Sequence, residues 1–204
     1  MVFIDPVVLG FGILLLLGVL VVVKQRSTGS VLDKPGGNAF VQFVNIYNLF
    51  FLLIVNPFAA VGLIARSLPR LDPTHITIDS PLVVAGLDVF GLLLYVGGFC
   101  LMGWALLRLG RNYQLGGSAP RAQDEMVTDG PYGLIRHPMY TAALSICLGL
   151  ACLLQSWGVG CVFIVYLVLI LAQIHMEERE LQIAYADQYL IYQRMTKMLV
   201  PFVY

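Results

Sequence analysis

The sequence predicts an all-α fold, a polytopic membrane helix bundle of five transmembrane helices with a cytoplasmic C-terminal amphipathic helix. Three observations carry that prediction. The 204 residues are 59% apolar and 12% charged, with a mean hydropathy of +0.84, against about 45–50% apolar and about 25% charged in soluble domains. The apolar residues cluster into five runs, and a run of about 20 crosses a hydrocarbon core of about 30 Å at about 1.5 Å per residue. The alternating strands and helices of a Rossmann-type nucleotide domain are missing. One membrane domain, 1–204, is expected, with 1–80 as N-terminal helices and 81–204 as the functional core.

The first span runs from about Pro6 to Val23 and is closed by Lys24 and Arg26. It lacks a basic leader and an A-x-A site, so a retained anchor is expected rather than a signal peptide. The second, about Phe43 to Ala65, carries Asn45, Asn48 and an Asn56-Pro57 step that should kink it, because proline removes a backbone donor. The third starts at Pro81, a favourable first-turn position, and ends near Leu109. The fourth and fifth, about Met139 to Leu154 and Trp157 to Met176, are separated only by Gln155 and Ser156, which demands a tight antiparallel hairpin. The tail from Glu177 to Tyr204 reads as an amphipathic helix with Leu181, Tyr185, Tyr189 and Tyr192 on one stripe, broken by Pro201. Its plainest reading is an interfacial helix with tyrosines at headgroup level.

Cytoplasmic segments of membrane proteins are enriched in Lys and Arg. With the amino terminus outside, ten of the twelve basic residues fall on the inner side: Lys24, Arg26, Lys34, Arg108, Arg111, Arg121, Arg136, Arg179, Arg194 and Lys197. Only Arg66 and Arg70 remain outside. This orientation puts the segment from Arg108 to Pro138 and the tail on one side, where they can meet. The formal charge of zero argues against nucleic acid as a partner, leaving the membrane and lipophilic or small molecules. Cys100, Cys147, Cys152 and Cys161 lie in apolar runs without CxxC or nearby histidine, so buried thiols and no metal are expected.

Ionisable groups at a membrane edge are expensive and therefore candidates for function. The densest set is Arg136-His137-Pro138 at the start of the fourth span, with His175, Glu177 and Glu178 at the end of the fifth. A tight hairpin joins those two ends into one mouth, where arginine, histidine and carboxylates suit a zwitterionic or cationic ligand. Asp88 is the one carboxylate well inside the hydrocarbon zone and is expected to take a structural partner. Asn45, Asn48 and Asn56 should form interhelical hydrogen bonds. Gly97, Gly98 and Gly103 read as close-packing positions, and His75 as a solvated loop residue. Gly116-Gly117 lacks the strand and GxGxxG frame of a nucleotide fingerprint.

Four runs then carry a family resemblance: Leu109-Gly110-Arg111-Asn112-Tyr113, Val127-Thr128-Asp129-Gly130-Pro131-Tyr132, Arg136-His137-Pro138-Met139-Tyr140, and Glu177-Glu178-Arg179-Glu180-Leu181. With Tyr189, Tyr192 and Pro201 behind them, they resemble the isoprenylcysteine carboxyl methyltransferase and phospholipid methyltransferase superfamily, over about Leu109 to Pro201. The resemblance implies an integral membrane enzyme that transfers a methyl group from S-adenosylmethionine to a lipophilic acceptor. Carried over by position, it implies cofactor contacts at Met126, Val127, Tyr132, His137, Pro138, Met139, Tyr140 and Glu177. Arg136, Glu178 and Arg194 are the candidates to orient a carboxylate acceptor or take a proton from an amine or hydroxyl.

The chain departs from the pattern in three places, one of them the tail, where Arg194, Met195, Thr196 and Lys197 stand in place of the family's usual basic residue, valine and proline after the last tyrosine. Prenylcysteine methyltransferases tend to carry arginine one turn before the first glutamate, where this chain has Gln173. The linker from Gln114 to Asp124 also differs. The alternative is an NADPH-dependent steroid or sterol reductase, but those enzymes resemble RHPNYxGE where this chain reads RHPMYTAA. A scaffold without catalysis is a third reading, opposed by the retained His137, Glu177 and Glu178.

Overall fold

A computed structural model describes residues 4–30, 38–112 and 126–201, apart from the side chains of Pro69 and Arg111. Expectations at Lys34, Tyr113, Gly116-Gly117, Arg121 and the Gln114–Asp124 linker lie outside the described residues. Helix α1, Pro6–Thr28, starts on an Asp5 cap whose carboxylate accepts from the Val7 amide at 2.8 Å, and it ends at Gly29 in the left-handed conformation. It runs one turn past the expected boundary at Val23.

Helix α2 spans Ala39–Ile64 and is capped by the Asn38 side chain. The expected disturbance at Asn56-Pro57 takes the form of a π-turn over Phe51–Val55. Proline at 57 donates no amide and crowds the preceding turn, so the ladder widens there. Asn56 fills the gap, its Nδ2 donating to the Phe51 carbonyl at 2.9 Å. Tyr95 then donates to Asn56 Oδ1 at 2.6 Å from the facing helix. Asn48 accepts from Tyr166, again as expected. Asn45 does not follow: it is buried and its Nδ2 has no hydrogen-bond partner among the described residues.

Helix α3, Pro81–Leu109, and helix α4, Pro138–Leu154, share the most extensive contact of the bundle. Small residues let the two backbones touch. A Cβ on Gly149 would sit 2.7 Å from the Tyr95 amide nitrogen and 2.8 Å from the Gly91 carbonyl, and one on Gly98 would sit 2.9 Å from the Ala142 carbonyl. Gly98 thus packs as expected, whereas Gly97 and Gly103 have nothing within 4 Å and make no close approach. Asp88 is fully buried in α3.

Among the described residues four helices are long and apolar enough to cross a membrane. At 17 residues, α4 is shorter. Cys147 is buried and Cys152 half-buried, but Cys100 and Cys161 lie on the outer surface, so the expectation of buried thiols holds for only part of the set. Among the described residues no strand forms.

Helix α5, Trp157–Met195, is where the fold departs most from expectation. Its 39 residues would reach about 58 Å if straight, about twice a bilayer core. Only the portion to about Met176 is apolar enough to span. Beyond it the helix continues without a break to Ala186, whose φ of 44° and ψ of −123° turn the chain back on itself. Gln193 then donates to Glu178 at 3.0 Å and accepts from Gln182 at 3.0 Å. In a straight helix, residues 178 and 193 would stand about 22 Å apart. The helix ends at Met195, six residues before Pro201, so proline is not what stops it.

The loop between α2 and α3 is not a free tether. The Ile76 amide donates to the Gln155 carbonyl at 2.8 Å, and His75 Nδ1 lies 3.0 Å from the Leu154 carbonyl. His75 is half-buried and caps α4, which corrects the expectation of a solvated surface residue.

A carboxylate and histidine mouth closed by the tail

The α4–α5 hairpin begins and ends at the same end of the bundle, which brings residues 136–140 against residues 173–178. Tyr140 donates to Glu177 Oε2 at 2.6 Å, and Gln173 Nε2 donates to the Tyr140 hydroxyl at 2.9 Å. Arg136 Nε lies 2.7 Å and His137 Nε2 3.1 Å from Glu178 Oε1. A carboxylate accepts only, so His137 Nε2 carries a proton in this contact. The His137 and Tyr140 rings stack at 5.6 Å.

The helical phase of α5 decides which side chains join. Gln173 and Glu177, four residues apart, share one face, and Glu178 stands about 100° round the helix from Glu177, on the side that meets Arg136 and His137. His175 points outward, exposed, and only faces its own Leu171 carbonyl. It therefore drops out of the cluster that the sequence suggested.

After Met195 the chain returns across the mouth as a strap. The Arg136 amide donates to the Lys197 carbonyl at 2.7 Å and the His137 amide to Met198 at 3.1 Å. Thr141 Oγ1 donates to Leu199 at 2.8 Å. The Arg136 guanidinium also reaches the carbonyls of Gln193 and Thr196. Tyr192 donates to the Tyr132 carbonyl at 2.6 Å, tying the turn Gly130–Gly133 to the tail. Tyr189 and Tyr192 are thus buried beside the mouth rather than spread at headgroup level.

The electrostatics separate the two neighbouring glutamates. Burial pushes the Glu178 carboxyl up, but the hydrogen bonds and charges of His137 and Arg136 outweigh it and hold the group at about 2. A carboxylate held that low is a poor proton acceptor at neutral pH. Glu178 is suited to fixing Arg136 and His137. Glu177 accepts from Tyr140 and is half-buried. Burial, with Glu178 adding to it, raises the Tyr189 hydroxyl, which keeps its proton. That hydroxyl and the Oε1 of Gln173 are buried without a hydrogen-bond partner among the described residues.

Among the residues expected at the site, the structure gathers Arg136, His137, Tyr140, Glu177 and Glu178, with Pro138 buried beneath and Met139 packed on the core. Tyr132 joins through its carbonyl. Met126 and Val127 are half-buried, and no hydrogen bond to a described residue ties them to the carboxylates. Arg194 is exposed and forms no ion pair with a described residue, so it does not join the cluster. Gln173 and Gln193 were missed as members. The signal for Gln173 was its position one turn before Glu177; for Gln193 there was none, since Ala186 carries no turn signature.

A family model described as phospholipid methyltransferase matches residues 87–188. The chain belongs to the phospholipid methyltransferase family. The matched stretch, half of the chain, takes in α3 from residue 87 onward, the RHPMY run, α4, α5 as far as residue 188 and both glutamates. No curated protein matches the chain. Membership makes this a membrane methyltransferase with a methyl donor and an acceptor to bring together, and the mouth between α4 and α5 is the place where its polar chemistry is concentrated.

Proposed function

We propose that the protein transfers a methyl group from S-adenosylmethionine to an amine-bearing lipid at the mouth between α4 and α5. The observation that carries this reading is the convergence of Tyr140, Glu177, Gln173 and His137 at the membrane end of a hairpin. S-adenosylmethionine supplies an electrophilic methyl group on a sulfonium, together with an ammonium group and ribose hydroxyls that need acceptors. The residues present fit such a molecule. Glu177 offers a carboxylate, and Gln173 Oε1 is a buried acceptor without a partner among the described residues.

In this reading, Glu177 binds the donor's hydrogen-bonding groups, and Tyr140, fixed by Gln173, holds Glu177 in place. His137, Pro138 and Met139 line the start of α4. Arg136 and Glu178 are positioning residues, because each is spent on the other and on the tail. The strap over the mouth excludes water, which favours an in-line displacement that depends on geometry more than on acid–base chemistry. The preference for an amine follows from charge. Among the described residues of the mouth, the guanidinium is already paired with Glu178, leaving acceptors rather than a cation to face the substrate. The positive-inside distribution supports an orientation with this mouth on the cytoplasmic side and the amino terminus outside.

Titration of the detergent-solubilised full chain with S-adenosylhomocysteine by calorimetry tests the reading. Saturable binding is expected, weakened about tenfold or more by Glu177→Ala, the loss of a charge-assisted hydrogen bond. Normal binding by both Glu177→Ala and His137→Ala would remove these residues from the donor site. Saturable binding of NADPH alone would overturn the reading in favour of a reductase.

A further inference from the structure

At the opposite end of the bundle from the catalytic mouth, a cleft of about 320 Å³ opens where α1 begins and α2 and α4 end. Its walls include Asp5, Arg66, His75 and Gln155 over a floor with Leu63 and Leu154. Such a volume is at the small end of ligand sites, which run from about 300 Å³. It suits a headgroup rather than a whole lipid.

Two features of the backbone mark the cleft. Arg66 and Gln155 follow the last turns of α2 and α4 with φ of 52° and 51°. Left-handed positions just past a helix end favour glycine, and a long side chain is strained there. Among the described residues only Ala186 otherwise has positive φ without being glycine. Strain of this kind persists where the side chain has a use. Arg66 pairs with Asp5 at 3.1 Å. Gln155 is more than nine-tenths buried, and its Nε2 donor has no hydrogen-bond partner among the described residues.

The free chemistry of the cleft is that of a donor set. Both Asp5 oxygens are engaged, one by the Val7 amide and the other by Arg66. What remains is the rest of the Arg66 guanidinium and the Gln155 amide. His75 is held by its Nδ1 against the Leu154 carbonyl. Guanidinium and amide N–H groups over leucines match a phosphate diester whose chains continue into the bilayer. We propose that this cleft binds the headgroup phosphate of a phospholipid, as a site separate from the catalytic mouth.

Native mass spectrometry of the full chain in detergent tests the proposal with dioleoyl phosphatidylglycerol, which has no amine to methylate. One molecule is expected to bind saturably, about tenfold more tightly than dioleoylglycerol, which has the same chains and no phosphate. Gln155→Gly and Arg66→Gly should each weaken it about tenfold. Both should fold as well as the parent or better, since glycine suits the backbone there. Their melting temperatures separate loss of the site from loss of the fold. Displacement of the lipid by millimolar inorganic phosphate would support a phosphate site and identify the free anion as a competing source. Equal retention of dioleoylglycerol, or unchanged affinity in both glycine variants, would overturn the proposal.

Discussion

Replacing Glu178 by glutamine should cost the protein about 2 kcal/mol at neutral pH and remove part of its sensitivity to acid. Glu178 accepts hydrogen bonds from Arg136 at 2.7 Å, from His137 at 3.1 Å and from Gln193 at 3.0 Å. These partners hold its carboxyl at about 2 against an ordinary 4.5. At about 1.4 kcal/mol per pH unit, that difference sets a ceiling of about 3 kcal/mol on what ionisation contributes to folding. Screening by water at the membrane edge takes part of it away, leaving about 2 kcal/mol. The folded value lies below the unfolded one. The contribution is therefore complete above pH 4.5 and is lost as the pH falls toward 2. The assay is thermal unfolding of the detergent-solubilised chain from pH 7 to pH 3, comparing wild type with Glu178→Gln. The difference in melting temperature should be widest near neutrality and shrink below pH 4.5. A constant difference across that range would assign the effect to packing and refute the electrostatic argument. No difference at pH 7 would refute the ion pair as a stabilising element.

Two further outcomes follow from the backbone. Gly149→Val should destabilise the α3–α4 contact by at least about 3 kcal/mol, because its Cβ would meet Tyr95 and Gly91 backbone atoms, while Gly103→Val, with open space around it, should leave the melting temperature nearly unchanged. Ala186→Gly should preserve the fold and raise stability by about 1 kcal/mol in the same measurement, since the reversal there uses a conformation in which alanine is strained; a loss of stability would mean that the reversal is not as described.

The sequence made the spans legible because burial in lipid demands long apolar runs, and the Gln155-Ser156 gap left the hairpin no alternative. The convergence of Arg136, His137, Glu177 and Glu178 followed from that topology, whereas Tyr140 entered only through the family resemblance. What stayed hidden has a common cause. The tyrosine stripe is continuous through residue 192, so periodicity extends a single tail helix, while the fold reverses at an alanine that nothing in composition distinguishes. Without the reversal, Gln193 and the strap cannot be placed. Arg194 and His175 were drawn toward the site by chemistry, but helical phase turns both away. Gly103 and Gly149 look alike in sequence, and only the partner helix tells them apart.

Adjacent glutamates on one helix would ordinarily be interchangeable in a charge-based reading, yet they differ here in what they are free to do. Glu178 is saturated by Arg136, His137 and Gln193, and Arg136 is in turn bound to the returning tail. That chain of contacts fastens the strap to the hairpin and sets the rotamer of His137. Glu177, one residue earlier, has a single donor among the described residues, Tyr140, itself oriented by Gln173. Loss of Glu177 should therefore show up as lost ligand affinity with the fold intact, and loss of Glu178 as lost stability that drags affinity down through the strap. A helix turns about 100° per residue, so neighbouring carboxylates can serve two different faces of one mouth: Glu178 is turned to the architecture that encloses it, and Glu177, in the function proposed above, to the donor.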